Sequence, residues 1–137
     1  MTNAAARSML VTLVLLAGNA AAQNTPLFAG TWRLHDWPIS DQSHDLTIRQ
    51  DAKTISITEP GNPPTTNVYR LDGSENRNGN MTSRVSWDGE KLVIEAINAD
   101  LKRTRVVVSL NPAGPFLIVS RDDYSGVAEA TLYRKRD

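Results

Sequence analysis

An all-β chain closed into an antiparallel up-and-down β-barrel is what this sequence predicts, and three observations carry that reading. Beyond residue 22 no stretch repeats its apolar residues at the helical period. The apolar residues fall instead in short alternating runs separated by Gly, Pro, Asn and Asp, which is the pattern of strands with one buried face. Two pairs of these runs also read as hairpins, with a register that follows from the turn between them.

In chain order, residues 1–22 come first and read as a secretory signal peptide. Arg7 precedes an apolar stretch between Ser8 and Ala17, and Ala20-Ala21-Ala22 supplies the small residues of a cleavage site, so Gln23 is the expected mature N-terminus. The stretch is shorter than the roughly 20 apolar residues that cross a bilayer, and no membrane span is expected elsewhere. Residues 23–137 then form a single domain with one core, in the periplasm or secreted.

Strands are expected at Gly30–His35, Asp45–Gln50, Lys53–Thr58, Asn67–Leu71, Met81–Trp87, Lys91–Asn98, Thr104–Leu110, Phe116–Ser120 and Val127–Arg134, about eight or nine in all. Across a two-residue turn at Asp51-Ala52, Ile48 is expected opposite Ile55, and Leu46 opposite Ile57, with all four on one face. Around Asp88-Gly89, Val85 is expected to face Leu92, with Trp87 on the same side and Arg84 and Glu95 together on the other. A slip of one residue would turn either apolar set toward water. The connections read as surface loops: the proline-rich Glu59 to Pro64, a mobile Asp72 to Asn80, a turn at Asn111 to Pro115, and Arg121 to Gly126. Barrel closure removes exposed edges, with a two-sheet sandwich as the alternative. The strands are too short, and the aromatics too few, for an outer-membrane barrel.

Composition excludes several functions. Fifteen Lys and Arg balance fifteen Asp and Glu, so no basic surplus points to nucleic acid. The basic run Arg134-Lys135-Arg136 reads as a solvated tail. There is no cysteine, which excludes disulfides, thiol catalysis, thiolate metal sites and a lipid-modified N-terminal Cys.

The segment Phe28-Ala29-Gly30-Thr31-Trp32-Arg33-Leu34 resembles the first-strand motif of the lipocalin and fatty-acid-binding families. The chain is most similar in rhythm to small exported bacterial lipocalin-like (calycin-type) proteins, through Gly-Thr-Trp, Leu-Thr-Ile-x-Gln, and Trp-Asp-Gly followed by Leu-Val-Ile-Glu. The resemblance implies a barrel with a cavity for a small apolar ligand. It also implies structural roles for Gly30 and Trp32, with Trp32 sealing one barrel end under a basic side chain of the last strand, for which Arg134 is the candidate. Such a cation–π contact contributes about 1 kcal/mol. Two departures stand out: the nine residues Asp36 to His44 leave no room for the helix-turn-helix of fatty-acid-binding proteins, and the disulfides and packed helix usual in lipocalins are missing.

Chemistry-bearing constellations are few. His35-Asp36 and His44-Asp45 can both reach one barrel rim, where imidazoles and carboxylates suit zinc or copper, but the spacing has no tight ligand pattern and two exposed loop histidines are the simpler reading. Asp122-Asp123 and Asp41/Asp45 are carboxylate pairs in turn contexts. No nucleophile elbow and no phosphate-cradling glycine loop occurs, so no catalytic residue and no cofactor is expected. Tyr69, Trp87, Phe116 and Tyr124 are the aromatics placed to line a cavity, with ordinary core packing as the alternative. An eight-stranded barrel is just wide enough inside for side chains or one small ligand. With aromatics at only 6% of residues, Val, Ile and Leu do most of the filling, which favours a small or shallow cavity.

The sequence therefore leads first to an exported, non-catalytic barrel binding a small apolar or amphipathic molecule, with a cavity of roughly 300 Å³ or more. A filled barrel acting as a structural or protein-interaction module is the alternative. A small metal-binding protein using His35 and His44 comes third.

Overall fold

The computed structural model describes residues 25–112 and 114–136; residues 1–22, read above as a signal peptide, lie outside the described residues. Ten strands follow one another: β1 (Gly30–Leu34), β2 (Leu46–Gln50), β3 (Thr54–Glu59), β4 (Thr65–Arg70), β5 (Asn76–Asn78), β6 (Met81–Asp88), β7 (Lys91–Ile97), β8 (Arg103–Asn111), β9 (Phe116–Asp122) and β10 (Ala128–Lys135). They form one antiparallel sheet in the order β4-β3-β2-β1-β10-β9-β8-β7-β6-β5. Pairing of β1 with β10 joins the two halves of the chain, and the sheet curls until β4 and β5 face each other.

The tenth strand corrects the expected eight or nine. It is β5, within the segment read as a mobile loop, and side-chain chemistry accounts for it. Asn78 accepts the Val68 N–H at 2.9 Å and donates to the Val68 carbonyl at 3.0 Å, as a strand backbone would. Asn76, buried, accepts the Arg70 N–H at 2.8 Å. Two amide side chains thus bridge the seam between β4 and β5, where regular ladder bonds stop, and satisfy edge groups that would otherwise stay open.

Both hairpins form, with the register shifted by two residues from that expected. In the first, Ile48 pairs with Ile57 and Gln50 with Ile55. The Asp51 carboxylate accepts the N–H groups of Lys53 and Thr54, both at 2.8 Å, and the Asp51 N–H donates to the Thr54 carbonyl at 3.0 Å, so the turn falls at Ala52-Lys53, one residue later than expected. In the second, Val85 pairs with Ile94, Trp87 with Leu92 and Arg84 with Glu95. Its two-residue turn is Gly89-Glu90, with Gly89 at φ 62 in the first central position, where a type II′ turn takes glycine. A shift of two preserves every face, so the inward set is unchanged.

That inward set is the core: Phe28, Trp32, Leu46, Ile48, Ile55, Ile57, Val85, Leu92, Ile94, Val108, Leu117 and Val119. Up-and-down succession gives the barrel two distinct ends. The β2–β3, β6–β7 and β8–β9 turns mark one; the β1–β2, β3–β4, β5–β6, β7–β8 and β9–β10 connections mark the other. The first end is plugged. Phe28 stacks on Trp87 with ring centroids 6.0 Å apart, and the Trp32 indole N–H donates to the Phe28 carbonyl at 2.9 Å. Lys135, and not Arg134, lies over the Trp32 ring, at 5.7 Å. The register explains the exchange: Trp32 pairs directly with Lys135, so both side chains take the same face. Arg134 points outward and lies 5.9 Å from the Phe116 ring. A Cβ on Gly30 (φ 143) would stand 3.0 Å from Lys135 Cε, so the motif's glycine leaves room for the lysine stem.

The basic triplet is not a solvated tail. Beside the two ring contacts, Arg136 forms a two-pronged ion pair with Asp45, at 2.8 and 3.0 Å, and donates to the Ile39 carbonyl at 2.8 Å. Its side chain is 17% exposed and that of Asp45 12%. This contact fastens the segment after β10 to the β1–β2 connection, which contains only turns and bends.

Candidate functional site

A cavity of about 230 Å³ opens at the unplugged end. It is smaller than the roughly 300 Å³ expected from sequence and holds the space of about eight liquid waters at ~30 Å³ each. The barrel is therefore not completely filled. Its walls follow from strand alternation. The inward positions of β3 run Ile55, Ile57, Glu59, and those of β9 run Leu117, Val119, Arg121. Each run is apolar toward the plug and charged at the mouth.

Ile48, Ile57, Ile94 and Val108 line the apolar part; Asn67, Tyr69, Thr104 and Tyr133 add polar atoms. Glu59 and Arg121 form an ion pair at this mouth. The strands that carry them are not neighbours, since β2, β1 and β10 lie between β3 and β9, so the contact crosses the barrel interior. Burial raises the Tyr69 hydroxyl above its ordinary value, with Glu59 adding to the rise and Arg121 opposing it. Tyr133 is raised for the same first reason, with the Arg121 and Glu59 effects following. Both phenols stay neutral at physiological pH and can donate or accept hydrogen bonds. The arrangement suits a small molecule with an apolar body and a polar head.

Of the four aromatic candidates, Tyr69 lines this cavity and the other three stand elsewhere. Trp87 is part of the plug. Phe116 faces outward, edge-on to His35 at 5.3 Å, because inward positions of β9 are odd-numbered. Tyr124, at φ 62, is exposed on the β9–β10 connection. The histidines do not converge: His44 packs on Trp37 at 4.4 Å while His35 packs on Phe116, and no group of three or more His, Asp and Glu suited to a metal occurs among the described residues. Asp41, Asp122 and Asp123 accept turn N–H groups, and Asp45 is held by Arg136.

Glu59, Arg121 and Tyr133 were not singled out in the sequence, yet the signal was present. Ile55-x-Ile57-x-Glu59 and Leu117-x-Val119-x-Arg121 each continue an apolar alternation into a charge, and the next inward position after such a run is a cavity mouth or a strand end.

No family profile and no curated protein matches this sequence. Solved structures do. The fluorescent protein UnaG is 25% identical, with a TM-score of 0.59, over 80% of this chain and 97% of its own. Lipid binding protein 8 from Caenorhabditis elegans is 11% identical, with a TM-score of 0.63, over 82% of this chain and 99% of its own. Secretory abundant heat soluble protein 4 from Ramazzottius varieornatus is 18% identical, with a TM-score of 0.57, over 80% and 94%. The fold is thus a nearly closed antiparallel barrel of the lipocalin and fatty-acid-binding type.

Proposed function

We propose that this chain is an exported, non-catalytic barrel that holds one small amphipathic molecule, apolar part inward and polar head at the mouth. The observation that carries this reading is the cavity itself, with an aliphatic interior that ends in Glu59, Arg121, Tyr69 and Tyr133. The likeness to a lipid binding protein supports it, and the N-terminal segment supports export. A cavity below the 300–1,000 Å³ of drug-sized sites favours a short-chain or single-ring occupant. The void weighs against the filled-barrel alternative.

Native mass spectrometry of the mature chain with octanol tests it. A one-to-one adduct is expected, lost in Ala96→Phe, which fills the cavity from β7, while the variant keeps its cooperative melting. No adduct in the parent chain, or an undiminished one in the variant, overturns the reading. Export is checked separately: protein recovered from the periplasm of a bacterial host begins at Gln23.

A further inference from the structure

We propose that Glu59 makes the cavity select an uncharged polar head, such as an amide or alcohol, over a carboxylate. The inference rests on the cavity reading above and names the ligand class for it.

Among the described residues Arg121 is the one guanidinium lining the cavity, and it is already engaged by Glu59 across the mouth. A second carboxylate stands close by: Glu129 is directly opposite Arg121 in the β9–β10 register, hence on the same inward face. The mouth thus holds one cation already paired with a carboxylate, and a further carboxylate stands on the exposed rim beside it. A carboxylate ligand must either take Arg121 from Glu59, leaving that carboxylate unpaired as the ligand displaces water around it, or share the guanidinium with a like charge at close range. The pair is part-exposed in the free protein, Arg121 50% and Glu59 38%, so the cost arises only as the bound ligand covers it, and such a built-in repulsion is how sites reject a competitor.

An amide head meets no such penalty. Its N–H groups donate to Glu59, and its carbonyl accepts from Arg121 or from a neutral tyrosine. The ion pair survives with both members satisfied. An alcohol can do the same with one donor and one acceptor. The two half-buried phenols widen this neutral hydrogen-bonding surface without adding charge.

Octanamide and octanoate, which are isosteric, provide the test. Both are titrated near neutral pH into the mature chain, into Glu59→Gln, and into the double variant Glu59→Gln/Arg121→Gln, with amide shifts of the cavity strands as readout. The parent chain is expected to bind octanamide at least tenfold more tightly than octanoate. In Glu59→Gln, which keeps the shape and frees the guanidinium, the preference reverses or falls by at least tenfold, and the double variant abolishes that gain for octanoate. Equal affinities in the parent chain, or a ratio unchanged by Glu59→Gln, overturn this proposal and leave the cavity reading standing. Binding of neither compound, together with no octanol adduct, overturns both.

Discussion

At the plugged end of the barrel Phe28, Trp32 and Trp87 interlock around one buried hydrogen bond, whereas at the open end the same inward positions carry Glu59, Asn67, Thr104 and Arg121. Strand periodicity is identical at the two ends. What differs is which residue occupies the last inward position of each run, an aromatic ring or a short or charged group. A ring fills its end with dense packing and makes it a source of stability. Glu59 and Arg121 meet across the mouth without packing rings into it, so the barrel stays hollow beneath them. The β1–β2 connection, which contains only turns and bends, also leaves this end without a helical cap.

The sharpest way to break that comparison is truncation at each end. Trp32→Ala removes a ring that is 3% exposed and leaves the Phe28 carbonyl without its donor. It should cost about 3–5 kcal/mol, and thermal unfolding should shift down by about 15 °C or more. Val106→Ala, half-buried on a wall that already faces a void, should cost about 1 kcal/mol. Equal losses in denaturant titrations would remove the energetic distinction between the ends.

The next effect ties the ends together. Arg136 anchors the end of β10, which finishes at the plugged end, to Asp45 on the loop that enters β2. Because both partners are largely buried, Arg136→Ala strands the Asp45 carboxylate and should cost about 3 kcal/mol. In a double-mutant cycle with Asp45→Ala the two losses should be strongly non-additive. Additive losses would mean that the pair contributes nothing beyond its separate packing.

The elements that were legible in the sequence share one property: they depend on short-range periodicity. The alternation in Leu46 to Gln50, in Thr54 to Thr58 and in Met81 to Trp87 settles which residues face inward whatever the register, because a shift of two leaves the faces unchanged. Turn chemistry is less local than it looks. Asp51 spreads its carboxylate over two N–H groups and moves its two-residue turn one place along, to Ala52-Lys53, which turn length alone does not anticipate. Contacts between distant segments were not legible. Lys135 over Trp32 requires the β1–β10 register, and Glu59 with Arg121 requires the curl of the whole sheet. The strand at Asn76–Asn78 was hidden for another reason, since asparagines ordinarily signal a loop and here act as strand backbone.

That seam supplies the third prediction. Asn76→Ala leaves the Arg70 N–H without its partner at a buried position, which should cost about 2 kcal/mol. Asn78→Ala, at a more exposed position, should cost less. Hydrogen exchange should quicken at the Arg70 amide in the first variant and at the Val68 amide in the second, with the plug unaffected. Loss of protection spread evenly over the barrel would show that seam and plug open as one unit.

The smallest effect concerns a local motif that both ends share and that should therefore not distinguish them. Asp41-Gln42-Ser43 at the open end and Asp72-Gly73-Ser74 at the other repeat one turn, in which the aspartate accepts the serine N–H and hydroxyl. In the first, the Ser43 hydroxyl and then its N–H, with help from the Trp37 indole, lower the Asp41 carboxyl to about 2. A depressed carboxyl contributes stability that is fully present above its unfolded value of 3.8 and is lost as pH falls through the folded value. The turn should therefore loosen only in strong acid, between about pH 4 and 2. Both groups lie at the surface, where solvent screens them, so the overall stability should hardly register the change. Carbon-detected NMR titration should place the Asp41 midpoint at about 2, and Ser43→Ala should move it up toward 3.8 while Asp72 titrates as before. If the Asp41 midpoint stays low in Ser43→Ala, the Trp37 indole, which donates to the other carboxylate oxygen at 2.9 Å, is the principal cause, and the β1–β2 loop then owes its shape to a contact that the Asp72 turn lacks.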